Sequence, residues 1–66
     1  MKNNKFSENL KEIRLNAKIS QKELAKLLNV SDKTISHWEG GYSEPNLDAL
    51  IKLRDVLKVP YEDLID

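Results

Sequence analysis

Five polar residues crowd one short stretch of this 66-residue chain: Asp32, Lys33, Thr34, Ser36 and His37, with Gly40 one turn further on. At about 100° per residue, Lys33, Ser36, His37 and Gly40 share one side of a helix, and Asp32 and Thr34 flank that side near the helix start. Ile35 and Trp38 fall on the opposite side. The polar set is short to medium in length and mostly able to donate hydrogen bonds. Its chemistry is recognition rather than bond making. A helix that shows such groups from its first turns suits the major groove of DNA, which admits one helix and displays a donor/acceptor code. Catalysis is poorly served: there is no nucleophile–base–orienter trio and no glycine-rich phosphate loop after a strand. The single histidine lies on the proposed groove face and cannot hold a metal alone. The sequence implies no cofactor and no small-molecule ligand.

The elements that must position this face are legible around it. Ser20 is an N-cap, and Glu23 three residues later completes an S-x-x-E capping box. Leu24, Leu27 and Leu28 then recur at helical spacing and predict a buried stripe. Asn29-Val30 breaks the pattern, and Ser31 caps a second helix carrying Ile35 and Trp38. Gly40-Gly41 ends it, where a left-handed backbone is expected at the C-cap. Two helices this short cannot stand alone in water, because nucleation is costly. They must lean on flanking segments. Before them, Phe6, Leu10, Ile13 and Ala17 predict one apolar face of a helix over residues 7–16, with Lys11, Arg14 and Lys18 off that face. After them, Pro45-Asn46 is a helix start. Leu47, Leu50, Ile51, Leu53, Val56 and Leu57 give that helix a broad apolar face, until Lys58-Val59-Pro60 stops it. Tyr61 to Ile65 forms a last turn. Nothing alternates at period two like a strand. The fold class is all-α, five helices in an orthogonal bundle. Residues 1–6 read as a flexible basic arm and 7–66 as one domain, with its central motif at 20–39. The expected core is Leu10, Ile13, Leu24, Leu27, Leu28, Val30, Ile35, Trp38, Leu47, Leu50, Ile51, Leu57 and Leu64.

A domain this small buries only about 60% of its unfolded surface, so a partner often supports it. The absence of cysteine excludes disulfides and thiolate metal sites and fits a cytoplasmic location. There is no membrane-length apolar run, and the polar start MKNNKFSEN carries no signal-peptide apolar region. The net charge is zero, but it is unevenly spread. Residues 1–38 hold eight Lys/Arg against four Asp/Glu, and residues 39–66 hold three against seven. One half is basic and the other acidic, a pattern that accompanies nucleic-acid faces.

These residues together resemble a known family. The run Arg14…Ser20-Gln21-x-Glu23-Leu24-Ala25-x-x-Leu28-x-Val30-Ser31…Ile35-Ser36-x-Trp38-Glu39-x-Gly41…Pro45 is similar to the phage-repressor/Cro-type, or XRE, helix-turn-helix. The likeness covers roughly residues 8–65. It implies a lambda-repressor-like DNA-binding domain acting as a homodimer on a two-fold symmetric operator in double-stranded DNA.

The resemblance also implies roles. Asp32, Lys33, Ser36 and His37 match positions that reach base edges; Lys33 can donate to guanine O6/N7 and Asp32 can accept from a cytosine amino group. Gln21 matches a glutamine that bonds a phosphate from a helix N-terminus and braces the recognition helix, with free N–H groups and the positive dipole end beside it. Lys18 and Thr34 join it as phosphate contacts, and Gly41, Tyr42 and Ser43 match a loop that offers main-chain N–H groups to the backbone. Gly40 stands where many members carry Asn, so a side-chain contact there is missing. Arg14 and Glu39 match an ion pair that sets the angle of the recognition helix. Val56, Val59, Tyr61, Leu64 and Ile65 are the candidate dimer interface. A neutral chain with a single Lys on the groove face predicts modest non-specific affinity, which makes pairing more necessary. The expected function is a transcriptional regulator, most simply a repressor. The alternative is an antitoxin-like or adaptor module that uses the same fold to hold a partner protein.

Overall fold

The computed structural model describes residues 5–65. Most of the expected basic arm, residues 1–4, lies outside the described residues. Five helices follow in order: α1 Phe6–Asn16, α2 Gln21–Leu28, α3 Asp32–Gly40, α4 Leu47–Leu57 and α5 Tyr61–Ile65. Among the described residues there is no strand.

The helix starts are set by local side-chain chemistry. Ser20 Oγ accepts from the Glu23 N–H at 3.0 Å, and the Glu23 carboxylate accepts from the Ser20 N–H at 2.7 Å. Two of the free donors at the start of α2 are thereby satisfied reciprocally. Ser31 Oγ accepts from Thr34 N–H at 3.1 Å, and Asn46 Oδ1 from Ala49 N–H at 2.9 Å, starting α3 and α4. The stops are left-handed turns. Asn29 (φ 61°), Gly41 (φ 80°) and Lys58 (φ 56°) each leave the helix in that conformation, and Lys18 (φ 61°) turns the chain just past α1. Gly and Asn take this region readily; a lysine there is strained by its Cβ.

The core draws on all five helices. Leu10, Leu24, Ile35, Leu53 and Leu64 are fully buried, and Phe6, Ala25, Leu28, Trp38 and Leu57 join them. Ile13, Val30, Leu50 and Val56 pack partly against this cluster. Burial of each large side chain is worth roughly 1.5–3 kcal/mol, which is what holds such short helices. The third helix packs on α1 and α2, α4 on α2, and α5 on α1. The Asn9 side-chain amide donates to the Leu64 carbonyl at 3.1 Å and ties α5 to α1.

Several expectations about the core are corrected. Leu27 is 60% exposed and Leu47 is 67% exposed. The inward face of α2 is Leu24, Ala25 and Leu28, and Leu27 lies about 100° away from its centre. Leu47 is the first residue of α4, on its free end, and Leu53 occupies the core instead. Ala17 is exposed just past the end of α1. At the other end Phe6 is buried as the first residue of that helix, so the folded domain starts one residue before the expected boundary.

Candidate nucleic-acid interface

The outward ridge of α3 is open to solvent. Asp32, Lys33, Ser36 and His37 are all exposed, while Ile35 and Trp38 beneath them are buried. Only the back of the helix is used by the fold. Trp38 is an anchor in the core and presents no ring for base stacking. Thr34 is half-buried, and its hydroxyl lies 2.9 Å from Ser31 Oγ at the cap.

The angle of this ridge is fixed by a buried clamp. Arg14 Nε donates to one Glu39 oxygen at 2.6 Å, and its Nη2 to the other at 3.2 Å. The third guanidinium nitrogen donates to the Ile19 carbonyl at 2.8 Å. The two side chains are 8% and 4% exposed. Gln21, first residue of α2, donates through Nε2 to the Glu39 oxygen at 3.0 Å. A carboxylate only accepts, so this amide must present its nitrogen. The pairing expected between Arg14 and Glu39 is therefore present, and it joins the end of α1, the start of α2 and the end of α3. A bidentate pair is both stronger and more directional than a point-charge contact. Removal of either partner would leave a buried charge uncompensated.

Gln21 thus braces α3 through its side chain. It stays half-buried at the N-terminal end of α2, where main-chain N–H groups and the dipole favour an anion. Lys18 is exposed on the preceding turn. The loop after α3 differs from expectation. Gly41 N–H donates to the Trp38 carbonyl at 3.3 Å and Tyr42 N–H to the His37 carbonyl at 2.9 Å. Both main-chain donors are occupied in closing the helix end, as C-cap geometry requires. The Tyr42 and Ser43 side chains of this loop are exposed. Gly40, read from the sequence as a missing contact, has a neighbour that the sequence did not reveal: the Tyr42 ring lies over it.

Comparison with known proteins places this geometry. A family model described as helix-turn-helix matches residues 10–64. The chain belongs to the helix-turn-helix family. It is 36% identical over 60 residues to the HTH-type transcriptional regulator ImmR of Bacillus subtilis (strain 168), a match over 91% of this chain and 47% of ImmR. It is 33% identical over 60 residues to the HTH-type transcriptional activator BcrR of Enterococcus faecalis, covering 91% of this chain and 29% of BcrR. The chain therefore spans half or less of the length of these curated relatives. Among solved structures, the P22 c2 repressor protein in complex with a synthetic operator superposes with a TM-score of 0.86 at 33% identity, covering 92% of both chains. The phage-repressor type anticipated from the motif is the type found, and the fold is that of helix-turn-helix repressor domains.

Within this helix-turn-helix unit, α2 and α3 are the motif and α1, α4 and α5 its support. The candidate dimer residues fare unevenly. Leu64 is fully buried, with no side-chain surface left for a partner, because α5 must fill the core beside α1. Val56 and Val59 are partly buried against the same core. Tyr61 is half-buried, and the Arg54 guanidinium sits 4.9 Å from its ring centre. Ile65 is the open member, at 41%. Among the described residues no cluster of metal-ligating side chains occurs, and no helix is long and apolar enough to cross a membrane.

Proposed function

We propose that this chain is the DNA-binding unit of a cytoplasmic transcriptional regulator, a repressor that reads a palindromic operator as a homodimer. One observation carries the reading. The helix that bears Asp32, Lys33, Ser36 and His37 exposes all four while its back is buried and its end is clamped by Arg14, Glu39 and Gln21. A rigid, donor-rich ridge of one helix is what direct readout of the major groove needs. In this reading Lys33 and His37 donate to base edges or nearby phosphate, Asp32 accepts from a cytosine amino group, and Ser36 adapts to either. Lys18, Gln21, Thr34 and Ser43 hold the phosphates on either side, and register follows from them.

A repressor is the simplest regulator such a unit can serve, and the P22 c2 repressor shares its fold at 33% identity. A domain seated in the groove blocks promoter access by occupancy alone.

Selection of bound sites from random duplex DNA is the test, followed by titration across salt. The wild-type chain should enrich an inverted repeat. Lys33→Ala should then either relax preference at one base pair, costing about 1–3 kcal/mol there, or reduce the salt slope by about one per subunit. The first outcome assigns Lys33 to a base and the second to a phosphate. Failure to enrich any sequence, with weak binding indifferent to salt, would sink the DNA reading and favour a protein-holding adaptor.

A further inference from the structure

The C-terminal end of the α3 ridge is occupied by a ring from outside the helix. Gly40 follows His37 by three residues on the outward face. A Cβ built on Gly40 would lie 2.8 Å from two carbons of the Tyr42 ring, closer than side chains tolerate. One edge of the ring therefore occupies the space that a side chain at residue 40 would take. It is held there from below: Gly41 at φ 80° reverses the chain, and Tyr42 N–H is bonded to the His37 carbonyl at 2.9 Å. The same ring meets the His37 imidazole edge-on, with centroids 5.9 Å apart and planes at 61°. Tyr42 is 83% exposed. The core has no use for it, yet its placement is specific.

We propose that Tyr42 is a positioning residue for His37, and that Gly40 is the specificity-determining gap that lets the ring reach it. The inference rests on the proposed role of α3 in the major groove. An exposed histidine alone samples several rotamers and must lose that freedom on binding. Edge-to-face contact with a neighbouring ring is a favoured aromatic geometry. It narrows the imidazole's choices before DNA arrives, and preorganisation of this kind sharpens recognition. The edge contact needs the ring and not the phenol hydroxyl. Tyr42 therefore acts through His37, apart from any phosphate its hydroxyl meets.

The test combines site selection with spectra of the free protein. Tyr42→Ala should cut preference at the base pair read by His37 by about tenfold, within the range one good side-chain–base contact supplies. Tyr42→Phe should keep it. Gly40→Ala should match Tyr42→Ala in base preference with an unchanged or raised melting temperature, because helical alanine is well tolerated while its methyl displaces an exposed ring. In a His37→Ala background, Tyr42→Ala should alter base preference no further, since neighbours acting through one contact are non-additive. In the free protein, His37 ring-proton resonances should move in Tyr42→Ala and Gly40→Ala and hold in Tyr42→Phe. The inference is overturned by wild-type preference in Tyr42→Ala, or by additive losses in the double variant. A uniform loss of affinity in Tyr42→Phe, with base preference intact in Tyr42→Ala, also overturns it and assigns the hydroxyl to phosphate. If the wild-type chain enriches no sequence while the resonance pattern holds, the failure lies with the DNA reading.

Discussion

Arg14 and Glu39 are the two charges that the fold cannot leave unpaired. Both side chains are almost wholly buried, and the third guanidinium nitrogen donates to the Ile19 carbonyl. In water an exposed pair of this kind would be worth little. Here the cost lies in breaking it. Glu39→Ala should cost about 3–5 kcal/mol, most of the stability of a domain this size. Replacing both partners, Arg14→Met with Glu39→Leu, should recover most of that loss, because an apolar pair needs no compensation. Urea denaturation reads both; a loss below ~1 kcal/mol in Glu39→Ala would mean that the pair is solvated in solution. The pairing itself was legible only through the resemblance to the helix-turn-helix family. Its burial was not, nor that the bracing expected of Gln21 runs through the same Glu39 carboxylate, because both depend on how three helix ends converge. Leu27 shows the same limit. Its type says core, but an eight-residue helix leaves the choice of inward face to its partners.

At the scale of elements, the starts of α2, α3 and α4 follow from short-range chemistry, which is why they could be read from sequence. A Ser or Asn cap needs only the N–H three residues on. The stops are less uniform. Asn29 and Gly41 suit the left-handed conformation, whereas Lys18 and Lys58 do not. Lys58→Gly should raise stability by about 0.5–1 kcal/mol, or roughly 3–6 °C in melting temperature. Lys18→Gly should stabilise the fold similarly but weaken DNA binding, since that side chain is a proposed phosphate contact. Thermal melts with salt-dependent binding separate the two; equal melting temperatures for both variants and wild type would show that neither turn stores strain. The fifth helix was legible as an apolar turn but not in its role. Leu64 reads equally as core or interface until α1 is seen to cover it.

At the scale of the whole molecule, charge and size bear on how two copies meet DNA. The basic first half contains α1, α2 and most of α3, and the acidic second half begins at Glu39 of the clamp. The Cα envelope measures 32 × 22 × 21 Å. Its long axis is close to the roughly 34–36 Å that separates half-sites one helical turn apart. Two bodies of this size fit side by side on half-sites spaced that way, and a two-fold pair would present one ridge to each. The selected operator should be an inverted repeat with half-site centres about 10 bp apart. Insertion of about five base pairs between the half-sites turns the second one to the far side of the duplex, about half a turn away. A pair of bodies this short cannot wrap around to reach it. Affinity should then fall to that of a single half-site, and binding should lose its dependence on the second. Gel-shift titration against single, natural and expanded sites measures this directly. Equal affinity for the natural and expanded sites would show that each copy binds alone, and the homodimer would have to be given up while the groove-reading ridge stood.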